Sequence, residues 1–192
     1  MALNEASMGA SADIDLHAEV ARSRLSGAPA FAVFALVGSA VLSAACGPDK
    51  EAQKLAQDQA AFEQAAAQDP EFSDPLGRAI ADAARVEARG WVKEGKFMRG
   101  TLEERGRQAF LVVLRYGHCY RFIGTAQDAN DMDLLLFDAN GVETQRDVTQ
   151  SATPILGASA SICPTEPSAV RIEARMRAGR GAFAIALFHD PA

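Results

Sequence analysis

A chain of 192 residues with 48% hydrophobic and 23% charged residues is long enough to bury a core without metals or oligomerisation, and too apolar to be disordered throughout. Its formal net charge of -6 excludes the electrostatic footprint of a nucleic-acid binder. Its three cysteines lie apart: Cys46 directly follows an apolar run, whereas Cys119 and Cys163 fall in strand-rich sequence. In an oxidising compartment they divide into one for lipid and two for a bridge; in a reducing cytosol all three would be small buried apolar residues.

Arg22 and Arg24 precede an uncharged stretch from Leu25 to Gly47 centred on Phe31-Ala-Val-Phe-Ala-Leu-Val, the charge-then-apolar order of a secretory signal. The run ends in Ser43-Ala44-Ala45, small residues that a peptidase admits, immediately before Cys46. This arrangement resembles a bacterial lipobox, although Ser43 stands where that family favours leucine and Leu42 lies one position earlier. The leader of about twenty residues, with Glu5, Asp13, Asp15 and Glu19, is long and acidic for a signal, and a start at Met8 or later would shorten it. The resemblance implies a signal peptide over 1–45 and a lipid on Cys46. Gly47 after the cysteine, in place of an aspartate, is similar to lipoproteins forwarded to an outer membrane, facing the periplasm or the cell surface. The same run also fits an uncleaved spanning helix anchored in the inner membrane, since it approaches the roughly 20 residues needed to span, or a buried core helix. A spanning helix would still place the downstream chain outside, because positive flanks stay cytoplasmic.

Residues 46–95 read as a helical spacer and a flanking helix. From Asp49 to about Ala67 good helix formers dominate, but Leu55, Ala56, Ala60, Phe62 and Ala66 give only a sparse apolar stripe. Pro70 and Pro75 break it. A second helix is predicted from Asp74 as cap and Pro75 at the first helical position to about Arg89, with Leu76, Ile80, Ala83, Ala84 and Val86 facing inwards. Gly90-Trp-Val-Lys-Glu-Gly95-Lys96 has the spacing of a phosphate loop, but Phe97 stands where a hydroxyl is needed and the segment follows a helix and enters a strand, reversing the required order.

After Gly95 the period becomes alternating, so 96–192 reads as an all-β domain. Phe110–Leu114, Cys119–Ile123 and Met132–Phe137 are predicted strands, with a loose acidic loop over 125–131 and a hairpin turn at Asn140-Gly141. Val170, Ile172, Ala174 and Met176 alternate with Arg171, Glu173, Arg175 and Arg177. Gly179-Arg-Gly181 then leads into a last strand, expected to complete a hairpin with its predecessor. The predicted class is mainly β: a C-terminal antiparallel sandwich, preceded by the signal segment and one or two helices. Gly100-Thr-Leu, Gly117-His-Cys-Tyr-Arg-Phe, Asp131-Met-Asp-Leu-Leu-Leu-Phe-Asp138 with its Asn140-Gly141 turn, and the pair around Gly179 and Gly181 resemble the bacterial pre-peptidase C-terminal type of domain. That resemblance implies a jelly-roll-like sandwich appended to secreted proteins, and brings no catalytic residues. A Cys119–Cys163 bridge is expected to pin it.

For chemistry, Asp128, Asn130, Asp131 and Asp133 suggest calcium, because hard cations want several oxygens. The helix-loop-helix register fails: Met132 takes a ligand position and Ala139 replaces the terminal carboxylate. A site using Asp131, Asp133 and Asp138 competes with solvated turn carboxylates, and no other cofactor is expected. Gly157-Ala-Ser159-Ala-Ser161 lacks the last glycine of a nucleophile elbow. His118 and His189 are placed to meet near sheet ends but have no metal-ligand spacing. The chain is therefore read as non-enzymatic. It is either a binding module for an envelope protein or polysaccharide or a structural lipoprotein; a calcium- or carbohydrate-binding sandwich is the alternative. Scarce aromatics favour a protein contact over a carbohydrate.

Overall fold

The computed structural model describes residues 50–191. Cys46, its apolar run and the proposed signal segment lie outside the described residues. α1 (Lys50–Gln68) buries no residue fully; Phe62 and Ala66 alone of its stripe rest against the domain. Asp69 caps a short 3₁₀ turn over Pro70–Phe72. α2 (Pro75–Glu87) begins where its cap predicts: Asp74 accepts the Gly77 N–H at 2.7 Å, and Pro75 occupies a position that needs no donor. Among the described residues no helix is long and apolar enough to cross a membrane.

Eight strands follow: β1 (Val92–Leu102), β2 (Arg107–Leu114), β3 (Tyr120–Ala126), β4 (Ala129–Phe137), β5 (Glu143–Asp147), β6 (Ile155–Leu156), β7 (Ser168–Gly179) and β8 (Gly181–His189). They form two four-stranded sheets, A in the order β1-β8-β3-β6 and B in the order β2-β7-β4-β5, and every pairing is antiparallel. This is a β-sandwich whose strand order is that of a jelly roll. Cys119 and Cys163 are disulfide-bonded, closing a sequence separation of 44 residues. The bridge lies beside a backbone pair between Tyr120 and Ile162 that extends sheet A past β6.

Four expectations are corrected. Val86 does not face inwards with Leu76, Ile80 and Ala84 but stands on the outer side of α2, 68% exposed. The acidic segment 125–131 is not a loose loop: β3 runs to Ala126, β4 starts at Ala129, and only Gln127-Asp128 turns between them, with Asp128 at φ 59°. Its acids suggested a solvated connection, yet on a strand they alternate with core residues such as Met132 and Leu134. β7 and β8 are not a hairpin, because Gly179 and Gly181, at φ 90° and 152°, carry the chain from sheet B across to sheet A. Alternation sets which face is apolar but not which strand is the neighbour. Finally, β1 begins at Val92, before Gly95, which sits in a bulge between Glu94 and Met98.

The inner faces make one core. Val170, Ile172, Ala174 and Met176 of β7 meet Phe183, Ile185 and Leu187 of β8, with Tyr120, Phe122, Leu134 and Leu136 between them. The other face of β8 is equally buried: Ala184, Ala186 and Phe188 lie with Ile80, Ala84 and Ala88 at the helix and Phe97 and Ile123 from neighbouring strands. The small alanines let α2 approach the sheet closely. The strand residues of this second cluster come from β1, β3, β6 and β8. Helix thus covers sheet A, and among the described residues no helix packs on the outer face of sheet B.

Candidate functional site

The open face of sheet B is built by the odd residues of β2, β4 and β7. The register sets Arg107 opposite Arg175, Ala109 opposite Glu173 and Leu111 opposite Arg171 on one side of β7; Asp133, Leu135 and Phe137 stand opposite Arg175, Glu173 and Arg171 on the other. Glu173, only 6% exposed, is held between two arginines: Arg171 Nη1 donates at 2.5 Å and Arg175 Nε at 2.6 Å. Burial pushes its carboxyl up, but those hydrogen bonds and the two positive charges outweigh burial and hold it below its ordinary value. The Arg171 guanidinium also lies 3.8 Å from the Phe137 ring centre. Long arginine stems therefore cover apolar positions that no helix shields.

At one end of this face, Arg105, Arg107, Asp131, Arg175, Met176 and Arg177 line a groove of about 600 Å³. The β1–β2 turn is latched to it by Arg105 N–H donating to the Met176 carbonyl at 2.7 Å. Arg177 lies 3.4 Å from Asp133. Arg107 is exposed and has no carboxylate within ion-pair distance among the described residues. Farther along β2, away from the groove, Leu111 and Val113, opposite Arg171 and Ala169, are 82% and 65% exposed.

The structure separates the three carboxylates suggested for calcium. Asp131 and Asp133 lie at the groove end of β4, where Asp131 Oδ1 is buried without a hydrogen-bond partner. Asp138 is past the other end of β4, where its Oδ1 accepts the N–H groups of Asn140 and Val142 at 2.9 and 2.8 Å. That carboxylate shapes the turn. Two carboxylates among arginines have the wrong field for a hard cation.

Asp133 is 4% exposed, and burial pushes its carboxyl up against the opposing pull of Arg177; Asp131 adds to the rise and Arg175 opposes it. The unfolded chain accepts this negative charge more readily than the native one. Asp133 therefore costs stability as pH rises from the ordinary aspartate value through the shifted one. Asp133→Asn is expected to raise the denaturation midpoint near neutral pH, with the gain vanishing under acid conditions where both states are protonated. Urea titrations at the two conditions check this.

A second cluster sits at the opposite end of the strands. Tyr120 of β3 pairs with His189 of β8, so the residues just before one and just after the other meet. Cys119 N–H donates to Asp190 Oδ1 at 2.8 Å, and Asp190 N–H donates to the Cys119 carbonyl at 3.1 Å. The ring centres of His118 and His189 are 4.7 Å apart, edge to face, over the buried Tyr120. His118 and His189 thus come together as the sequence suggests, joined by Asp190, which carries no motif of its own. The only available signal was its place next to His189, which has meaning only once β8 is known to pair with β3. Trp91 stacks under the Arg121 guanidinium at 4.6 Å, a packing role. The chain matches no protein-family model, and no curated protein is similar enough in sequence to count as a relative.

Proposed function

We propose that the chain is an exported envelope protein, lipid-anchored through Cys46, that acts by binding, with the outer face of sheet B taking an acidic segment of a second envelope protein. The observation that carries the binding reading is the helix-free, arginine-lined groove of about 600 Å³ in a chain whose net charge is negative. Guanidinium forks suit carboxylates, and arginine is enriched at protein interfaces. Exposed Leu111 and Val113, farther along β2, supply apolar contact for a partner long enough to follow the strand. A polysaccharide is less favoured, because the groove lining contains no aromatic ring for a sugar to stack on. The Cys119–Cys163 bridge supports an oxidising destination, and Gly47 supports an outer-membrane anchor. The jelly-roll order supports the resemblance to pre-peptidase C-terminal domains.

The test is a photo-reactive amino acid at exposed Ala109, introduced in cells fed radiolabelled palmitate. A discrete protein adduct on a labelled chain is expected. Arg107→Glu, at an exposed position opposite Arg175, is expected to abolish the adduct while circular dichroism shows the fold retained. Cys46→Ala is expected to lose both label and adduct. An unlabelled wild-type chain retained in the cytoplasm would overturn the anchor; an adduct that survives Arg107→Glu, or that is polysaccharide, would overturn the proposed face.

A further inference from the structure

The half-buried cluster of His118, His189 and Asp190 is independent of the groove. We propose that these three residues bind a divalent transition-metal ion of borderline softness, such as zinc. One ligand atom from each residue lies within 4.8 Å of the other two. Donors around tetrahedral zinc stand roughly 3.4 Å apart, so closing the set takes side-chain rotations of about 1 Å. Two imidazoles and a carboxylate suit zinc, copper or nickel; calcium and magnesium prefer oxygen alone. Three protein ligands leave a fourth position open to water or a partner's side chain.

Neighbouring groups already orient the ligands. The Asp190 carbonyl oxygen lies 2.7 Å from His189 Nδ1 and 3.3 Å from His118 Nδ1. At His189 that acceptor favours a proton on Nδ1 and a lone pair on Nε2, whereas His118 Nδ1 also faces the Asp190 carboxylate, 3.7 Å from Oδ1. The Cys119 N–H fixes Asp190 through Oδ1, and the disulfide fixes Cys119. The backbone ladder between β3 and β8 therefore presets the distance between the two histidines. A structural alternative without an ion, His118 Nδ1 3.7 Å from the Asp190 carboxylate and His189 Nδ1 on the Asp190 carbonyl, uses the same groups and predicts neither heat nor ring shifts with zinc.

The deciding experiment is zinc chloride titration of the tag-free, full-length chain with its disulfide intact, read by calorimetry and by ¹H–¹⁵N spectra of the histidine rings. Of the chain's three histidines, His17 falls in the proposed signal segment, so it serves as internal control in chain prepared without processing. One zinc per chain is expected, shifting the ring signals of His118 and His189 but not His17, with calcium giving no heat. His189→Ala and Asp190→Asn are each expected to weaken binding at least about tenfold. Affinity is expected to fall as the solution is made more acidic, because protons compete with zinc for the ligand atoms. Absence of heat and ring shifts at millimolar zinc, or binding that leaves His118 and His189 unperturbed, would overturn the proposal. The ring spectra come from the unmodified chain, so they decide it even where a variant fails to fold.

Discussion

Replacing Cys119 and Cys163 together by alanine is expected to lower stability by about 4 kcal/mol, the chain-entropy value for a bridge that closes a 44-residue separation. For a domain of this size that corresponds to a fall in melting temperature of roughly 8–16 °C. The bridge ties the start of β3 to the segment after β6, which otherwise joins sheet A through the two-residue β6 and the Tyr120–Ile162 pair. Reduction releases that segment in the unfolded ensemble and removes the support for Cys119 beside Asp190. Calorimetry with and without reductant measures the effect, with the double-alanine variant as control. A loss below about 1 kcal/mol would mean that the loop is already closed by its other contacts.

Gly77→Ala is expected to destabilise by about 3 kcal/mol, although alanine in a helix is ordinarily favoured over glycine by about 1 kcal/mol. The added methyl would overlap the Glu71 carbonyl oxygen and stand 2.6 Å from Phe72 Cα, both backbone atoms that cannot swing away. Those atoms belong to a knot. Glu71 accepts the Phe97 N–H at 2.9 Å and Lys93 Nζ at 2.6 Å, and its carbonyl accepts Arg99 Nη2 at 3.1 Å. Arg99 in turn bonds the helix cap Asp74 at 2.7 Å. Pushing Glu71 outward disturbs α2 and β1 together, and Phe72 carries the strain into the ring contact with Phe97 at 5.1 Å. Denaturant unfolding of the two proteins fixes sign and size; a stabilised variant would refute the close approach.

Local chemistry was the readable part of the fold. Asp74-Pro75 specifies a cap and a first turn, Asn140-Gly141 a reversal, and Val170 to Arg177 a strand with one dry face, and each stands where those residues place it. Partner choice was not readable. Nothing in the alternation of β7 says that its neighbours are β2 and β4, or that β8 belongs to the other sheet. β5, Glu-Thr-Gln-Arg-Asp, is a polar edge strand without an apolar period, and β6 has only two residues, so neither registers as a pattern. The candidate sites divide the same way. The arginines of β7 are visible as a wet face, but the groove needs Arg105 from the β1–β2 turn and Arg107 from β2. His118 and Asp190 are 72 residues apart and meet only through the β3–β8 ladder.

The seating of β8 has a consequence for biogenesis. The eighth strand to leave the ribosome is an inner strand of its sheet, filling the slot between the first and the third. Until it arrives, β1 lacks its hydrogen-bonding neighbour in that layer, and both layers expose apolar surface. Pairings this distant along the chain form slowly. A nascent polypeptide built this way stays loose and threadable until β8 emerges, and removing β8 would leave β1 and β3 without the neighbour they share.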